Sequence, residues 1–424
     1  MLINDLVYSS LFSSDKEKTK ARTEIRKLAK KQGIFLASTH NLYQAIGHGK
    51  ISGFTVPAFN IRFLTYDTAK IIFRLAKKMA VGIFIFEIAR SEQKYTDQTP
   101  DEYVTTVLAA AIAENYQGSV FVQGDHYQFS ASKYHSDPKA EINSIKNLIN
   151  ESIAAGFYNI DVDASTLVDL TRKDIDNQQR DNYMMTALMT KYIREIQPPG
   201  VTVSIGGEIG HIGEKNSTVG DFKAFMKGFI KEIQMSKSKF QIKSKVESSK
   251  KETVGLSKIS VQTGTSHGGL VLPDGKIADI SLDFNVLKKI GEEARHKYHL
   301  GGAVQHGAST LPAELFDKFP KVKTLEIHLA TGFQNIVYQY LPEKIQNDIY
   351  SWLEKNCKNE WKENVSGQQF VYRTRKKAAG PFKKKLWALT DAEKKPILIN
   401  LEKRFEFLFE KLKVVNTKKI LEKY

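Results

Sequence analysis

The chain has 424 residues, a formal net charge of +16, 41% hydrophobic and 26% charged residues, and a single cysteine, Cys357. These values suit a folded protein with a large core, and they exclude a disordered chain, a small stapled module and an internal disulfide. No run of 18 apolar residues occurs, and the opening "MLINDLVYSSLFSSDKEKTK" lacks a basic stretch followed by an apolar one, so no membrane contact and a cytoplasmic setting are expected.

In chain order, residues 16–32 and 40–47 read as helices, and residues 1–50 are taken together as an N-terminal helical segment. Eight short apolar runs follow: "FTVPAFN" (54–60), "VGIFIFEIA" (81–89), "SVFVQGDH" (119–126), "YNIDVDAS" (158–165), "VTVSIGGEIG" (201–210), "ISVQTGTSHGG" (259–269), "GGAVQHGAS" (301–309) and "TLEIHLAT" (324–331). Amphipathic stretches such as "YDTAKIIFRLAKKMA" and "EINSIKNLINESIAAGF" lie between them, each long enough to cross back over a sheet. Eight strand-then-helix units predict a (β/α)8 TIM barrel over residues 51–345, whose strands, buried on both faces, are continuously apolar. A Lys/Ser-rich insertion is expected near 235–258, and residues 346–424 form a basic helical C-terminal extension.

A doubly wound sheet is the alternative architecture. The polar residues discriminate, because run after run ends in chemistry: Asn60, Glu87, Asp125 with His126, Asp163 with Ser165, Glu208, His267, His306 and His328. In a barrel all these strand ends meet at one mouth, where barrel active sites sit, whereas an open sheet strings them along an edge. His126, His267 and His306 end the third, sixth and seventh runs, and three imidazoles are a ligand set for a borderline divalent cation with a position left open. The remaining histidines, His40, His48, His135, His211, His296 and His299, fall in loops or helices. Asp163 and Glu208 hold a second cation, support the first, or only hydrogen-bond around the rim.

The loops "HGAS" (306–309) and "SHGG" (266–269) present backbone N–H groups after strands, a geometry that cradles phosphate. With the basic tail they suggest an anionic substrate. Within that tail, "RTRKKAAGPFKKK" (373–385) mixes cations with Phe382, so Arg373 and Arg375 are candidates to close over the mouth and bind a second phosphate.

Seven motifs in register, "FTVPAFN", "GDH", "AGFYNIDVDAS", "GGEIG", "GTSHG", "QHGAS" and "HLATGFQN", resemble the class II, metal-dependent fructose-bisphosphate aldolase family, which includes tagatose-bisphosphate aldolases. The similarity covers roughly residues 54–340. It implies zinc-dependent aldol cleavage of a ketose phosphate, with zinc on His126, His267 and His306, a second cation on Asp163 and Glu208, and Asp125 as the proton-shuttling acid. Gly268, Gly307, Ser309 and Thr331 match phosphate-contacting positions and Asn60 a substrate-contacting one. Homologues are often dimers or larger, which makes a homo-oligomer the expectation.

The departures are specific. The family's strand-eight pattern N-x-[D/A]-T-[D/E] is here His328-Leu329-Ala330-Thr331-Gly332, which puts an imidazole where an amide helps bind the ketone fragment. Glu87 stands where a small hydroxyl residue is usual, and a carboxylate there repels phosphate. The loop after the fifth strand is "HIGEKNST", which leaves Glu214 as the candidate base, and Val271 stands where lysine is frequent. Two rival readings remain at this level: another metal-dependent lyase or epimerase on the same scaffold, and a non-catalytic barrel whose basic tail binds nucleic acid or protein. Retention of the histidines beside an acid speaks against the second, and nucleic acid is not the expected partner. An amidohydrolase barrel needs a His-x-His pair on its first strand, which "FTVPAFN" lacks.

Overall fold

The computed structural model describes residues 2–210, 215–241, 255–264 and 282–424, with backbone only for 236–241. Nine parallel strands are present among them: β1 (Ile34–Ala37), β2 (Val56–Asn60), β3 (Ile85–Ala89), β4 (Gly118–Gln128), β5 (Asn159–Asp163), β6 (Ser204–Glu208), β7 (Lys258–Val261), β8 (Ala303–Gln305) and β9 (Glu326–Leu329). Strands β2 to β9 pair in the order β4-β3-β2-β9-β8-β7-β6-β5, and β4 pairs with β5 to close the ring. The chain is a (β/α)8 barrel, and each of the eight apolar runs contributes one stave.

The ninth strand was not apparent from the sequence. β1 adds to the outside half of β4, with Ile34 opposite Gly118 and Ala37 opposite Phe121, while the second half of β4 faces β5. Only an eleven-residue strand is long enough to pair on the same side with both in turn. The Asn159 amide closes the seam, donating to Ala37 O at 3.2 Å and Val122 O at 3.0 Å. Four residues with polar neighbours on either side give β1 too short a pattern to separate from a loop.

The N-terminal helices α1 (Ile3–Phe12) and α2 (Asp15–Lys31) pack on the helix Pro100–Ala113, where Arg22 pairs with Asp101 and Glu102 and Arg26 with Asp101. α3 (His40–Gly47) plugs the N-terminal end of the barrel and buries Tyr43 completely. The C-terminal helix Asp391–Lys411 lies along β2, its Phe405 ring 5.0 Å from Phe59 and 4.8 Å from Phe333. Behind it, Thr55 N–H donates to Leu412 O, so the basic extension is part of the core rather than a loose tail.

The interior is unusual for this architecture. Barrel staves normally fill the centre with branched apolar side chains. Here Gln123, Asp161, Lys258 and Glu326 point inward, each at most 4% exposed. Lys258 Nζ lies 2.5 Å from Glu326 Oε1, 3.0 Å from Asp161 Oδ2 and 2.7 Å from Gln123 Oε1, and Tyr43 donates its hydroxyl to Glu326 from below. Space for this cluster comes from Gly206, where a Cβ would stand 2.2 Å from Asp161 Oδ1. Lys258, at the end of the stretch expected as a Lys/Ser-rich insertion, is the first residue of β7 and fully buried. Its surroundings explain the difference: with Ser and Lys on its N-terminal side, a single inward-facing lysine carries no pattern of its own.

Removing one partner of a buried ion pair strands the other, at about 3–5 kcal/mol. Lys258→Met is therefore expected to lose about that much in denaturant unfolding, and adding Asp161→Asn and Glu326→Gln to it should recover a large part. A single Lys258→Met variant as stable as the parent would show that the cation does not hold the interior.

Candidate active site

β4 supplies the key local distortion. Gly124 pairs with Ile160 and Tyr127 with Val162, so two residues of β4 stand where one is expected. His126 takes φ 42, in the left-handed region. This bulge cancels the usual alternation of side chains, and Asp125 and His126 both point into the barrel while Gly124 and Tyr127 point out. A Cβ on Gly124 would lie 2.4 Å from the Tyr127 ring, which fixes glycine there. The succession of an apolar strand, Gly, Asp and His is thus the signature of a bulge that delivers an acid and an imidazole to one mouth.

His126 and His306 face each other with ring centroids 4.2 Å apart. Glu208 lies between them, Oε2 at 3.2 Å from His126 Nδ1 and Oε1 at 3.5 Å from His306 Nδ1. One donor atom from each of these three residues falls within 4.8 Å of the others, so together they can hold a cation. Asp163 sits beside this set: it accepts from His126 Nδ1 at 3.0 Å, from Gln128 Nε2 at 2.6 Å, and from the Ser165 backbone N–H and hydroxyl. A carboxylate so placed orients a ligating imidazole and fixes its tautomer.

The electrostatics fit a ligand set. Burial drives His306 well below the usual imidazole value, and the His126 and His328 rings add to that, so it is a neutral donor. Burial opposes charge on His126 as well, but Asp125 and Glu208 outweigh it and hold its pKa well above the ordinary one. Burial, with Asp163 close by, pushes Glu208 up to about 7. A cation displaces the protons on His126 and Glu208 and takes over their role of balancing the carboxylates.

A second group, Asp125, Asp161, His306 and His328, also meets the distance requirement for a metal. It is the poorer site, because its charge is already compensated. Lys258 stands 3.0 Å from Asp161, and the His328 ring lies between carboxylates, Nδ1 at 3.1 Å from both Asp125 and Glu87 and Nε2 at 2.7 Å from Glu326. A divalent ion there would meet the Lys258 ammonium at close range.

Above these residues opens a cavity of about 620 Å³ lined in part by Asp125, His126, His328, Gly307, Ser309 and Thr331. Asn60 and Glu87 also line it; Asn60 donates its amide to Glu92 and accepts from Arg62 Nε at 3.3 Å. Glu92, which sequence reasoning passed over, is a hub: it pairs with Arg62 at 2.5 Å and accepts from Ala89 N–H at 2.9 Å. Arg373 is exposed, and Arg375 stacks on Tyr338 and Tyr372 at 4.7 and 4.3 Å, away from the cavity. The neighbouring Lys376 lines the cavity instead, over the Tyr95 ring. His267, Gly268, Glu214 and Val271 lie outside the described residues.

A closed parallel barrel with a buried acid, paired imidazoles and a cation-binding set at the C-terminal ends of its strands defines an enzyme equipped for metal-assisted acid–base chemistry. The family model described as fructose-bisphosphate aldolase class-II matches residues 40–377, and the chain belongs to that family of aldehyde-lyases. Among solved structures, a fructose-bisphosphate aldolase from Campylobacter jejuni is 16% identical, covers 90% of this chain and 96% of its own, and superposes with a TM-score of 0.51. A protein from Sinorhizobium meliloti described as a probable tagatose 6 phosphate kinase gives 11% identity, 87% and 99% coverage and a TM-score of 0.56. At such identities the likeness is one of fold. No protein with a curated description matches the sequence.

Two outcomes follow for metal binding. Asp163→Asn should weaken divalent-metal affinity about 10- to 100-fold in competition with a chromophoric chelator; an unchanged affinity would remove Asp163 from the support of His126. At pH 6, below the Glu208 value of about 7, uptake of a divalent metal should release protons, so affinity rises with pH. Calorimetry in buffers of different ionisation enthalpy should find about one proton fewer for Glu208→Gln, and equal release by both proteins would contradict the assignment.

Proposed function

We propose that the protein is a zinc-dependent class II aldolase that reversibly cleaves a ketose phosphate or bisphosphate. The observation that carries this reading is the β4 bulge, which turns Asp125 and His126 into the same cavity beside His306 and Glu208. Two imidazoles and a carboxylate are a donor set suited to zinc, and His267 is the proposed third imidazole. Zinc held there supplies Lewis acidity toward the carbonyl and hydroxyl oxygens of the ketone half of the substrate.

The chain's own residues do the rest. Asp125 is 5% exposed; burial opposes its charge, but His126, His328 and His306 around it hold its carboxyl well below the usual range. It is therefore available as a base, and it takes the proton from the hydroxyl on the carbon that becomes the aldehyde as the carbon–carbon bond breaks. In the synthetic direction the same oxygen returns that proton. Gly307, Ser309 and Thr331 form the wall proposed to take one phosphate. Arg62 and Lys376 line the same cavity, and burial together with the nearby Arg62 lowers the Lys376 pKa. A half-buried lysine next to another cation is a receptor for an anionic group. The setting this implies is a cytoplasmic homo-oligomer in carbohydrate metabolism.

The test is a screen of ketose mono- and bisphosphates for chelator-sensitive cleavage by the zinc-loaded chain. Asp125→Asn should cost about 10²- to 10⁴-fold in kcat at unchanged zinc content, and Lys376→Ala should raise KM with little change in kcat. Full activity in Asp125→Asn would sink the proton-shuttle role.

A further inference from the structure

The resemblance leaves His328 without a role, since the family has an amide there. Its surroundings assign one. Both ring nitrogens face carboxylates: Nδ1 toward Asp125 Oδ1 and Glu87 Oε2, each at 3.1 Å, and Nε2 toward Glu326 Oε1 at 2.7 Å. Glu326 is anchored in turn by Lys258 Nζ at 2.5 Å, by Gln123 Nε2 at 2.9 Å and by the Tyr43 hydroxyl. Glu326 and Lys258 are both 0% exposed, and His328 only 5%. A continuous line of short polar contacts thus runs from the sealed floor of the barrel to Asp125 at its mouth.

We infer that His328 is the positioning residue for Asp125, holding Oδ1 of that carboxylate in place through an imidazole that is itself fixed by the Glu326–Lys258 pair. The inference rests on the reading of Asp125 as the proton shuttle. The shape of the side chain explains why the position is an imidazole. Its two nitrogens sit on separate edges of one rigid ring, so a single residue reaches Asp125 and Glu326 together, which a shorter amide does not. A carboxylate at a strand end otherwise has two rotatable torsions, and an error of about 1 Å in a catalytic group can cost on the order of 100-fold in rate. Glu326 and His328 alternate along β9 as Gln123 and Asp125 do along β4, so the strands' two-residue period carries this line from one layer of the barrel to the next.

The experiment uses the full-length zinc-loaded chain. His328→Asn should lower kcat for the cleaved ketose phosphate about 100-fold with KM within about twofold, zinc content should stay at the parent's level, and its crystal structure should show the Asp125 carboxylate rotated away. Asp125→Asn combined with His328→Asn should be no slower than Asp125→Asn alone, because the two act as a unit. Unchanged kcat, or an Asp125 carboxylate in its original place, overturns the inference. Should the parent cleave no ketose phosphate, the aldolase reading falls, and the position of Asp125 in the variant structure decides the positioning role by itself. If His328→Asn does not fold, Glu326→Gln, which keeps an acceptor for both Lys258 and His328, is read the same way, with a smaller loss of kcat and a displaced His328 ring expected.

Discussion

The interior of this barrel is governed by one electrostatic constraint: six carboxylates, Glu87, Asp125, Asp161, Asp163, Glu208 and Glu326, are each at most 5% exposed within one ring of strands. Charges at such burial persist only when paired, because the cost of leaving water exceeds what an unpartnered ion regains. Among the described residues Lys258 is the one buried lysine, and the imidazoles of His126, His306 and His328 are further bases within the ring. Where each cation stands decides what each carboxylate is free to do. On the floor Lys258 fixes Asp161 and Glu326, in the middle His328 ties Glu87 to Asp125, and at the mouth the His126–Glu208–His306 set is balanced by protons that a metal ion can replace.

Depth therefore sorts the carboxylates by role. Burial pushes Asp161 up to about 6 even with Lys258 beside it, while Glu326, which has Lys258, Gln123 and His328 on it, is held low. Above them Asp125 and His126 line the cavity, and the protons on His126 and Glu208 can be exchanged for a cation. A fixed lower layer beneath an exchangeable upper layer gives the site a rigid support, the arrangement in which catalytic groups hold their geometry without reorganising.

Much of this was legible in the sequence, and the reasons differ by element. The eight staves announce themselves because buried parallel strands are continuously apolar, and their polar C-terminal residues point to a common mouth. The floor was not legible, because Gln123, Asp161 and Glu326 each sit two residues before a residue that draws attention, within runs read as apolar. The period of two that carries "QGD", "DVD" and "EIH" was the available signal: inward residues at i and i+2 imply that a functional residue at a strand end has a polar neighbour beneath it. Arg373 and Arg375, expected near the mouth, are not among the residues that line the cavity while Lys376 is, because the short helical turn Arg375–Ala378 directs successive side chains to different sides and no spacing rule resolves a single turn.

Two of the departures from the family pattern, Glu87 and His328, become a single fact in three dimensions. Taken alone, a carboxylate at position 87 repels a phosphate, and an imidazole at 328 lacks the neutral amide's hydrogen-bonding pattern. Placed 3.1 Å apart they satisfy each other. Burial raises the Glu87 pKa strongly while His328 counters it, and Glu87 with Asp125 holds His328 well above the ordinary imidazole value despite its own burial. The charge each brings is balanced inside the barrel, by the other and, for His328, by Asp125 at 3.1 Å and Glu326 at 2.7 Å. Both side chains line the cavity beside Asp125, so what they present there is a compensated pair rather than a lone carboxylate.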